Sequence, residues 1–432
     1  MKKLLALLLA LTMALALVAC GGNNAANDGG NAASGNNSTS EDAGSDWPEP
    51  LSREKRDPIA KEDLKIGLIC VHDENSGYDV AHIDGLKGAC EELGIDPSQV
   101  TFKYNIPEDE TCYDAAVELA ESGCQLIISN SYGHQSYTMQ AAAEYEDLMF
   151  VASTGDTAAY EPVVNVVNVF PYTFQSRYVS GVVAGMKLKE LLDAGTITDP
   201  YVGYVGAFPY AEVVSGYTAF FLGIQSVVPE AYMDVQYTNS WYDPVAEGEA
   251  ANLLVARGCA IIGQHADSTG APSAVQAALD GGKEVYSVGY NIDMLSVAPD
   301  AALTSAQNNW PSMYYPILER MVSGDVMYAD FALGAENDGV MISKLGPNCA
   351  EGTQEKVDEI WAALKNGSLS VFDTSKFTVE GKEVTSFLAL DMDGDFVGDV
   401  GEAIVDGVFQ ESVLRSAPYF SLRIDGITEL NN

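Results

Sequence analysis

The sequence predicts an α/β protein made of two lobes, each built on a doubly wound parallel sheet, with a cleft between them. From Leu64 onward, short apolar runs alternate with amphipathic stretches of helical spacing. Apolar strands that alternate with helices indicate a parallel sheet covered by helices on both faces. The alternation reaches about Phe170 and then begins again. The chain therefore contains two such series, and each series is predicted to form one lobe.

The first series begins with the run LKIGLICV at residues 64–71, which is apolar enough for a fully buried strand. Further strand-like runs begin near Val100, Gln125 and Leu148, with helical segments between them. The run VVNVVNVF at 163–170 ends the series and lies where the two halves would join.

The second series begins with a long helix at residues 174–192. It continues with the strand-like runs YVGYVGAF, YMDVQYTNS, CAIIGQH, EVYSVGYN and LTSAQNN. We expect the first lobe to comprise residues 61–170 with about 303–330. The second lobe would comprise residues 171–302 with about 331–432, the last part being a C-terminal extension.

The N-terminus has the features of a secretory signal. Lys2 and Lys3 precede an apolar run at residues 4–18, which is shorter than the roughly 20 residues that a membrane span needs. The signal would comprise residues 1–19. Its end, LVAC, resembles the bacterial lipobox, and the resemblance implies cleavage before Cys20 and attachment of lipid to that residue.

The segment after Cys20 is predicted to be a flexible tether as far as about residue 60. It is rich in Asn, Gly, Ser and Asp and contains almost no large apolar residues, so it cannot bury enough surface to fold. A lipid anchor followed by a polar tether places the folded part outside the cytoplasmic membrane and close to it.

The charge of the chain restricts its partners. The sequence has 62 acidic and 22 basic residues and a formal net charge of −40. This balance disfavours nucleic-acid polymers, since binding to them depends on cationic contacts with phosphate. A small neutral or cationic ligand fits the charge better.

The cysteines, histidines and serines of the sequence form no pattern typical of a zinc site or a catalytic site. The seven cysteines form no CxxC pair, and those other than Cys20 cannot be paired from sequence. The four histidines are scattered, and no serine lies in a GxSxG turn. We therefore expect a binding protein without a cofactor, and not an enzyme.

The loops that follow the strands carry the candidate ligand-binding residues. In doubly wound sheets, ligands bind beyond the carboxyl ends of the strands. These loops are rich in aromatic, amide and carboxylate side chains and contain neither Arg nor Lys. The candidates are Tyr78, Tyr132, Phe208, Asn239, Trp241, Asp267, Asn291, Asp293 and Trp310.

This set of side chains suits a flat, neutral ligand. Aromatic faces can sandwich a planar ring or a pyranose, while amides and carboxylates fix its donors and acceptors. The missing cations disfavour a carboxylate or phosphate ligand, which usually recruits Arg or Lys.

Each candidate also has a structural alternative. Trp241 and Trp310 could be core aromatics, and Phe208 could fill a packing gap. Asp267 could cap the helical stretch that follows it, and Asp293 could cap the turn that begins at Met294. Asp243 and Pro244 have the residue types of an N-cap and a first helical position, so they predict a helix start.

A segment near the C-terminus has the ligand spacing of a calcium-binding loop. In DMDGDFVGDVGE, Phe396 occupies the position that needs Gly, and the preceding residues are strand-like. A polar surface loop between two strands is the alternative. The candidate ligands would be Asp391, Asp393, Asp395, Asp399 and Glu402.

Four segments together resemble a known family. NSWYDPVAEGEAANLL, GQHADS, GYNIDM and LTSAQNNWPSMYY, in this order, are similar to motifs of the basic membrane protein family of bacterial lipoproteins. Members of this family are solute-binding proteins of ABC importers. The resemblance covers about residues 64–324 and implies a fold like that of type I periplasmic binding proteins. It also implies a purine nucleoside or purine base as ligand and a membrane permease as partner.

The resemblance assigns roles to the candidate residues. Trp241 would stack on the base or contact its edge, and Asn239 would hydrogen-bond to it. Asp267 would accept from a base N–H or a ribose hydroxyl. Asn291 or Asp293 would hold the other edge of the ligand, and Trp310 would lie near the hinge between the lobes.

Two other functions stay open at this point. A protein that binds a sugar or signal molecule for a sensory receptor can share the fold, and the same aromatic and amide set would suit a pyranose. A nucleoside hydrolase would need a cluster of Asp residues near one strand end. Asp73 and Asp79 follow the first strand, but they do not form such a cluster in the sequence.

Overall fold

The computed structural model of the chain describes residues 52–158, 162–391 and 398–431. The signal segment, Cys20 and most of the expected tether lie outside these residues. In the described ranges, no helix is both long enough and apolar enough to cross a membrane.

The last residues of the predicted tether are bound to the first lobe. Arg53 Nη2 donates to the carbonyl oxygen of Val166 at 3.1 Å, and Arg56 Nη2 donates to that of Glu146 at 2.9 Å. These contacts place residues 53–56 on the first lobe, several residues before the expected boundary at about residue 60. The sequence did not indicate these contacts, because arginines that bind main-chain carbonyls leave no hydrophobic pattern in the sequence.

The first lobe is built on a six-stranded parallel sheet with the order β11-β5-β4-β3-β1-β2. Its strands are short, and the central ones are fully buried. The strands are β1 Ile66–Ile69, β2 Val100–Lys103, β3 Leu126–Ser129, β4 Met149–Ser153, β5 Val166–Val169 and β11 Asp330–Phe331. The helices are α1 Gly77–Leu93, α2 Glu110–Glu121, α3 Gln135–Glu144 and α8 Trp310–Ser323.

The second lobe is built on a seven-stranded sheet with the order β12-β10-β9-β8-β6-β7-β17. Only β12 runs antiparallel to its neighbour. The strands are β6 Tyr201–Gly206, β7 Tyr232–Tyr237, β8 Ile261–His265, β9 Tyr286–Tyr290, β10 Ala302–Asn308, β12 Val340–Ile342 and β17 Ile427–Glu429. The helices are α4 Thr173–Asp193, α5 Ala211–Gln225, α6 Pro244–Arg257, α7 Gly270–Asp280 and α9 Thr353–Lys365. Two parallel sheets, each covered by helices, confirm the predicted fold class.

The chain passes between the two sheets three times. It leaves the first sheet after β5, returns with α8, and goes back to the second sheet between β11 and β12. The expected boundary at about residue 303 lies inside β10, which pairs with β9 in the second sheet. The return to the first lobe therefore begins at Asn309, because ladder pairing holds the strand on the second sheet as far as Asn308.

Helices α4 and α5 approach each other closely through glycines. A Cβ atom at Gly181 would lie 2.1 Å from the carbonyl oxygen of Phe220, and one at Gly223 would lie 2.2 Å from that of Tyr178. Any side chain at these positions would overlap the facing main chain. The helix pair therefore depends on the absence of a Cβ atom at its contact point.

The residues after α9 complete the second lobe. They form two hairpins, β13 Leu388–Leu390 with β14 Val400–Glu402 and β15 Ile404–Val405 with β16 Val408–Phe409, before β17. Phe372, Phe409 and Phe420 are buried in the core of this lobe, and Phe372 stacks on Phe420 with ring centroids 4.4 Å apart.

The predicted calcium loop connects the antiparallel strands β13 and β14. Asp393 and Asp395 lie outside the described residues. The Glu402 carboxylate accepts hydrogen bonds from the backbone amides of Phe387 and Ile404, both at 2.9 Å. Among the described residues, no group of three or more His, Cys, Asp or Glu is arranged to hold a metal ion.

The six cysteines of the described residues are all free, and all but Cys349 are buried.

Candidate ligand-binding site

A narrow cavity of about 20 Å³ lies between the two lobes, at the carboxyl ends of the strands. Both lobes and several strand-end loops contribute side chains to it. The lining residues are Val71, Tyr78, Ser131, Tyr132, Thr154, Glu212, Trp241, His265, Asp267 and Tyr290. The structure therefore brings together four predicted residues, namely Tyr78, Tyr132, Trp241 and Asp267.

The two lobes touch each other beside this cavity. The backbone amide of Gly77 in the first lobe donates to the carbonyl oxygen of Asp267 in the second at 3.0 Å. Nearby, the rings of His72 and Tyr242 lie 5.4 Å apart across the same boundary. The structure therefore shows the lobes in a closed arrangement around the cavity.

Aromatic side chains form the walls of the cavity. Trp241 is held in place by Phe208, whose ring lies edge-on at 5.1 Å, and by Tyr210 at 6.0 Å. On the opposite lobe, the Tyr78 hydroxyl donates to the carbonyl oxygen of Asn130. The Tyr132 hydroxyl donates to Asp156 Oδ2 at 3.1 Å. Flat faces from both lobes are thus fixed on the two sides of the cavity.

Asp267 supplies a buried carboxyl group to the same cavity. Its side chain accepts a hydrogen bond from Asn291 Nδ2 at 2.8 Å. Burial, reinforced by the charge of Glu247, raises the pKa of Asp267 well above its usual range. A carboxyl group in this setting can accept a ligand N–H or, when protonated, donate to a ligand acceptor.

A polar network that the sequence did not predict lies beside the aromatic side chains of the cavity. His265 Nε2 lies 3.2 Å from Glu212 Oε1. The Arg177 guanidinium covers the Tyr290 ring at 3.6 Å from its centroid, and its Nη1 donates to the carbonyl oxygen of Gln264 at 2.6 Å. The cation that was missing from the loops therefore comes from a helix and lies behind Tyr290.

Burial sets the charges of this network. It raises the pKa of Glu212 to about 7, although the nearby Arg177 opposes the shift. It lowers the pKa of His265 well below the usual range, and Arg177 adds to that shift. His265 is therefore neutral at physiological pH, and Glu212 is only partly ionised, so this wall carries little net negative charge.

Five of the nine predicted residues do not line the cavity, and three of these five have a local role in a turn or in the core. Asn239 is exposed and has φ +56°, so the turn uses Asn for its left-handed backbone conformation. Asp293 caps a short helical turn by accepting from the amide of Leu295 at 3.0 Å. Trp310 is 1% exposed and packs on His82 in the core of the first lobe, with ring centroids 3.8 Å apart. Their assignment as direct ligand contacts stays a prediction, and a role in the turn or in the core accounts for the position of each residue.

Two other predicted residues act through their neighbours. Phe208 supports Trp241, as described above, and does not line the cavity itself. Asn291, with φ +64°, lies behind the cavity and holds Asp267. The sequence also predicted that Asp243 begins α6, and this is confirmed, because its carboxylate accepts from the amides of Val245 and Ala246.

Several buried polar atoms near the cavity have no hydrogen-bond partner among the described residues. They include the Tyr290 hydroxyl, Asn291 Oδ1 and His265 Nδ1. An unsatisfied buried polar group is costly, and most native proteins pair such groups with protein, water or ligand. Where such an atom faces the cavity, a polar ligand in the cleft could bind to it.

A larger chamber adjoins the inner cavity and opens to solvent. It has a volume of about 490 Å³ and shares Tyr132, Thr154, Glu212 and Trp241 with the inner cavity. Its remaining walls come from both lobes and from the C-terminal extension. Those residues are Glu108, Gly133, Asp156, Phe170, Tyr210, Ala211, Arg415, Ala417 and Pro418.

Buried carboxyl groups predict a pH-dependent stability. Burial raises the pKa of Glu212, Glu247 and Glu411 from 4.5 to about 7 in each case. A raised pKa means that the folded state holds the proton more tightly than the unfolded state. The resulting stabilisation is complete below about pH 4.5 and is lost as the pH rises through about 7.

We therefore expect the free energy of unfolding to fall as the pH is raised from about 4.5 to about 7, with urea denaturation as the measurement. Glu411→Gln should reduce this pH dependence, since Glu411 is one of several buried carboxyl groups whose pKa is raised. The exposed Glu118→Gln should leave it unchanged. A free energy of unfolding that rises between about pH 4.5 and about pH 7 would contradict the raised pKa of these carboxyl groups.

Two doubly wound lobes that close on an aromatic, polar-lined cleft define the class of two-lobed solute-binding proteins. Residues 70–375 match the Bmp family, described as ABC transporter substrate-binding protein PnrA-like. The chain belongs to this family, which confirms the resemblance seen in the sequence.

The chain is similar to two sequence relatives and to one solved structure. A purine-binding protein of Brucella abortus is 31% identical over 316 residues, which cover 72% of this chain and 84% of that protein. A protein of Haloferax volcanii, described as an ABC transporter glucose-binding protein, is 30% identical over 76% of this chain and 77% of its own length. The structure of an ABC transporter solute-binding protein from Aeropyrum pernix matches with a TM-score of 0.61 and 16% identity, over 71% of this chain and 92% of that chain.

Proposed function

We propose that this protein captures a purine nucleoside or purine base in the cleft and delivers it to an ABC permease. The observation that carries the proposal is the pairing of aromatic faces from both lobes with one buried carboxyl group. Tyr78 and Trp241 line the cavity from opposite lobes, and Asp267 lies in the same cavity.

A purine suits this arrangement because it is flat and carries N–H donors and nitrogen acceptors on its edges. The aromatic walls would hold the two faces of the ring. The Asp267 carboxyl group would bind an edge, and the unpartnered hydroxyl of Tyr290 would bind a polar group of the ligand. The purine-binding relative from Brucella abortus supports the same assignment.

The electrostatics of the cleft favour a neutral ligand over a phosphorylated one. Glu108 and Asp156 line the outer chamber, and its cation, Arg415, lies 3.1 Å from Asp156. A phosphate group would meet carboxylates before it met an available guanidinium. The net charge of −40 also disfavours a phosphorylated ligand, because it repels anions at longer range.

We further propose that the protein is a lipoprotein, held outside the membrane by lipid on Cys20. The basic residues, the apolar run and the LVAC sequence at the N-terminus support this proposal. The arginines near the end of the tether bind to the first lobe. The anchor would therefore keep the cleft close to a permease in the same membrane.

A thermal-shift panel tests the proposed ligand class. The full chain is mixed with adenosine, guanosine, inosine, free purine bases, glucose and amino acids. A ligand that binds only the folded state adds about 2.7 kcal/mol of stability at 100-fold over its dissociation constant. We expect a saturable rise in melting temperature with at least one purine compound and none with glucose. A shift with glucose alone would overturn the purine assignment.

Glucose or another sugar is the second candidate for the ligand of the cleft. The Haloferax volcanii relative favours it, since that protein is described as glucose-binding and is nearly as similar as the purine-binding one. Aromatic faces with carboxyl and amide groups can also hold a pyranose. The panel separates the two candidates directly, and a sugar result would also be compatible with a role in signalling through a receptor.

A further inference from the structure

The C-terminal extension lies outside the part of the chain that matches the family, which ends at residue 375. Its last strand, β17, pairs in parallel with β7 at the edge of the second sheet. The Asn431 side chain then binds both main-chain groups of Tyr237, accepting from the amide and donating to the carbonyl, each at 2.9 Å. The end of the extension is therefore fixed to the second lobe.

Residues 411–419 of this extension form a segment that we call the strap. At its start, the buried Glu411 accepts a hydrogen bond from the Ser215 hydroxyl on α5. At its end, Tyr419 and the following Phe420 are buried in the core of the second lobe. Both ends of the strap therefore belong to the second lobe.

The middle of the strap binds the first lobe. Arg415 Nη1 forms an ion pair with Asp156 Oδ2 at 3.1 Å, and the two side chains are 15% and 12% exposed. The next residue, Ser416, donates its backbone amide to the two carboxylate oxygens of Asp330 at 3.1 and 3.2 Å. Asp156 follows β4 and Asp330 begins β11, so both partners belong to the first lobe.

The strap also forms one wall of the ligand site. Arg415, Ala417 and Pro418 line the outer chamber, which joins the inner cavity at Tyr132 and Trp241. A segment that is fixed to one lobe, bound to the other and placed beside the ligand must lose its first-lobe contacts when the lobes separate.

We propose that the strap holds the closed cleft and that Arg415 is the residue that controls ligand retention. The Arg415–Asp156 pair links the lobes directly at the chamber through which the ligand passes to solvent. Because both side chains of the pair are mostly buried, removing the pair weakens the contact between the lobes, and such changes mainly accelerate dissociation. The inference rests on the proposed function only for the identity of the ligand.

The test compares Arg415→Gln with Arg423→Gln. Arg423 is a matched control because it lies on the same extension but binds Glu429, Ser421 and Pro209, which all belong to the second lobe. Guanosine dissociation is measured by stopped flow, and the radius of gyration of the ligand-free full chain is measured by X-ray scattering. Circular dichroism checks that both variants are folded.

We expect Arg415→Gln to release guanosine about tenfold faster than wild type, and we expect ligand-free Arg415→Gln to have a larger radius of gyration. Arg423→Gln should match wild type in both measurements. Combining Arg415→Gln with Asp156→Asn should give no further acceleration over Asp156→Asn alone, since the pair is then already broken. Equal release rates for the Arg415 and Arg423 variants would overturn the proposal.

The two measurements separate this inference from the purine assignment. If guanosine does not bind at all, the scattering comparison decides, because it needs no ligand. An expanded Arg415→Gln chain would then support the strap whatever the ligand panel shows for the other purine compounds. Guanosine binding with identical release from both arginine variants would support the purine assignment and overturn the strap.

Discussion

Replacing Trp241 with alanine is expected to weaken the binding of a purine ligand roughly 100-fold, equivalent to about 3 kcal/mol. Trp241 lines both the inner cavity and the outer chamber, and Phe208 and Tyr210 hold its ring. Its removal deletes one flat wall and leaves the ligand face in contact with water. Isothermal titration of wild type and variant measures the loss.

Trp361→Ala is the matched control for this experiment. Trp361 belongs to α9 and is only partly buried against the core of the second lobe. Its loss should lower stability without changing affinity. If the Trp241 variant bound the ligand as tightly as wild type, the aromatic wall would not be the recognition element.

Replacing Gly223 with alanine is expected to destabilise the second lobe by about 3 kcal/mol, a typical cost of inserting atoms into a packed interior. The new Cβ atom would lie 2.2 Å from the carbonyl oxygen of Tyr178, which belongs to the facing main chain. Because main chain cannot rotate away as a side chain can, α4 and α5 would have to move apart. Chemical denaturation of the ligand-free protein measures the effect.

Gly248→Ala provides the control, since it also lies inside a helix. A Cβ atom there would be 3.5 Å from the nearest atom, an ordinary contact. Alanine favours a helix over glycine by about 1 kcal/mol, so this variant should be neutral or slightly more stable. A Gly223 variant as stable as the Gly248 variant would show that the close helix contact is not required.

The sequence predicted the parts of the site that depend on local position. Whether a residue follows a buried strand is a local property, and this rule located Tyr78, Trp241 and Asp267 in the cleft. The same rule could not distinguish a residue that contacts the ligand from a residue that is needed only for the backbone conformation of the turn. Asn239 illustrates this, because a left-handed turn and an amide ligand both select Asn.

The missed residues reach the cleft through tertiary packing. Glu212 lies in the first turn of α5, so extending the rule by one helical turn would have found it. Arg177 belongs to α4 and lies beneath Tyr290 only after two helices and a sheet have packed. The same is true of Arg415, which comes from an extension that has no motif of its own and meets Asp156 more than 250 residues away in the sequence.

Isothermal titration of the wild-type chain tests the central claim most directly. The chain is unfolded, freed of small molecules by dialysis, refolded, and titrated with guanosine, inosine, adenosine and glucose in separate experiments. The account predicts saturable binding of one ligand per chain for at least one of the purine nucleosides, and no heat of binding with glucose. Saturable binding of glucose without binding of any purine compound would contradict it.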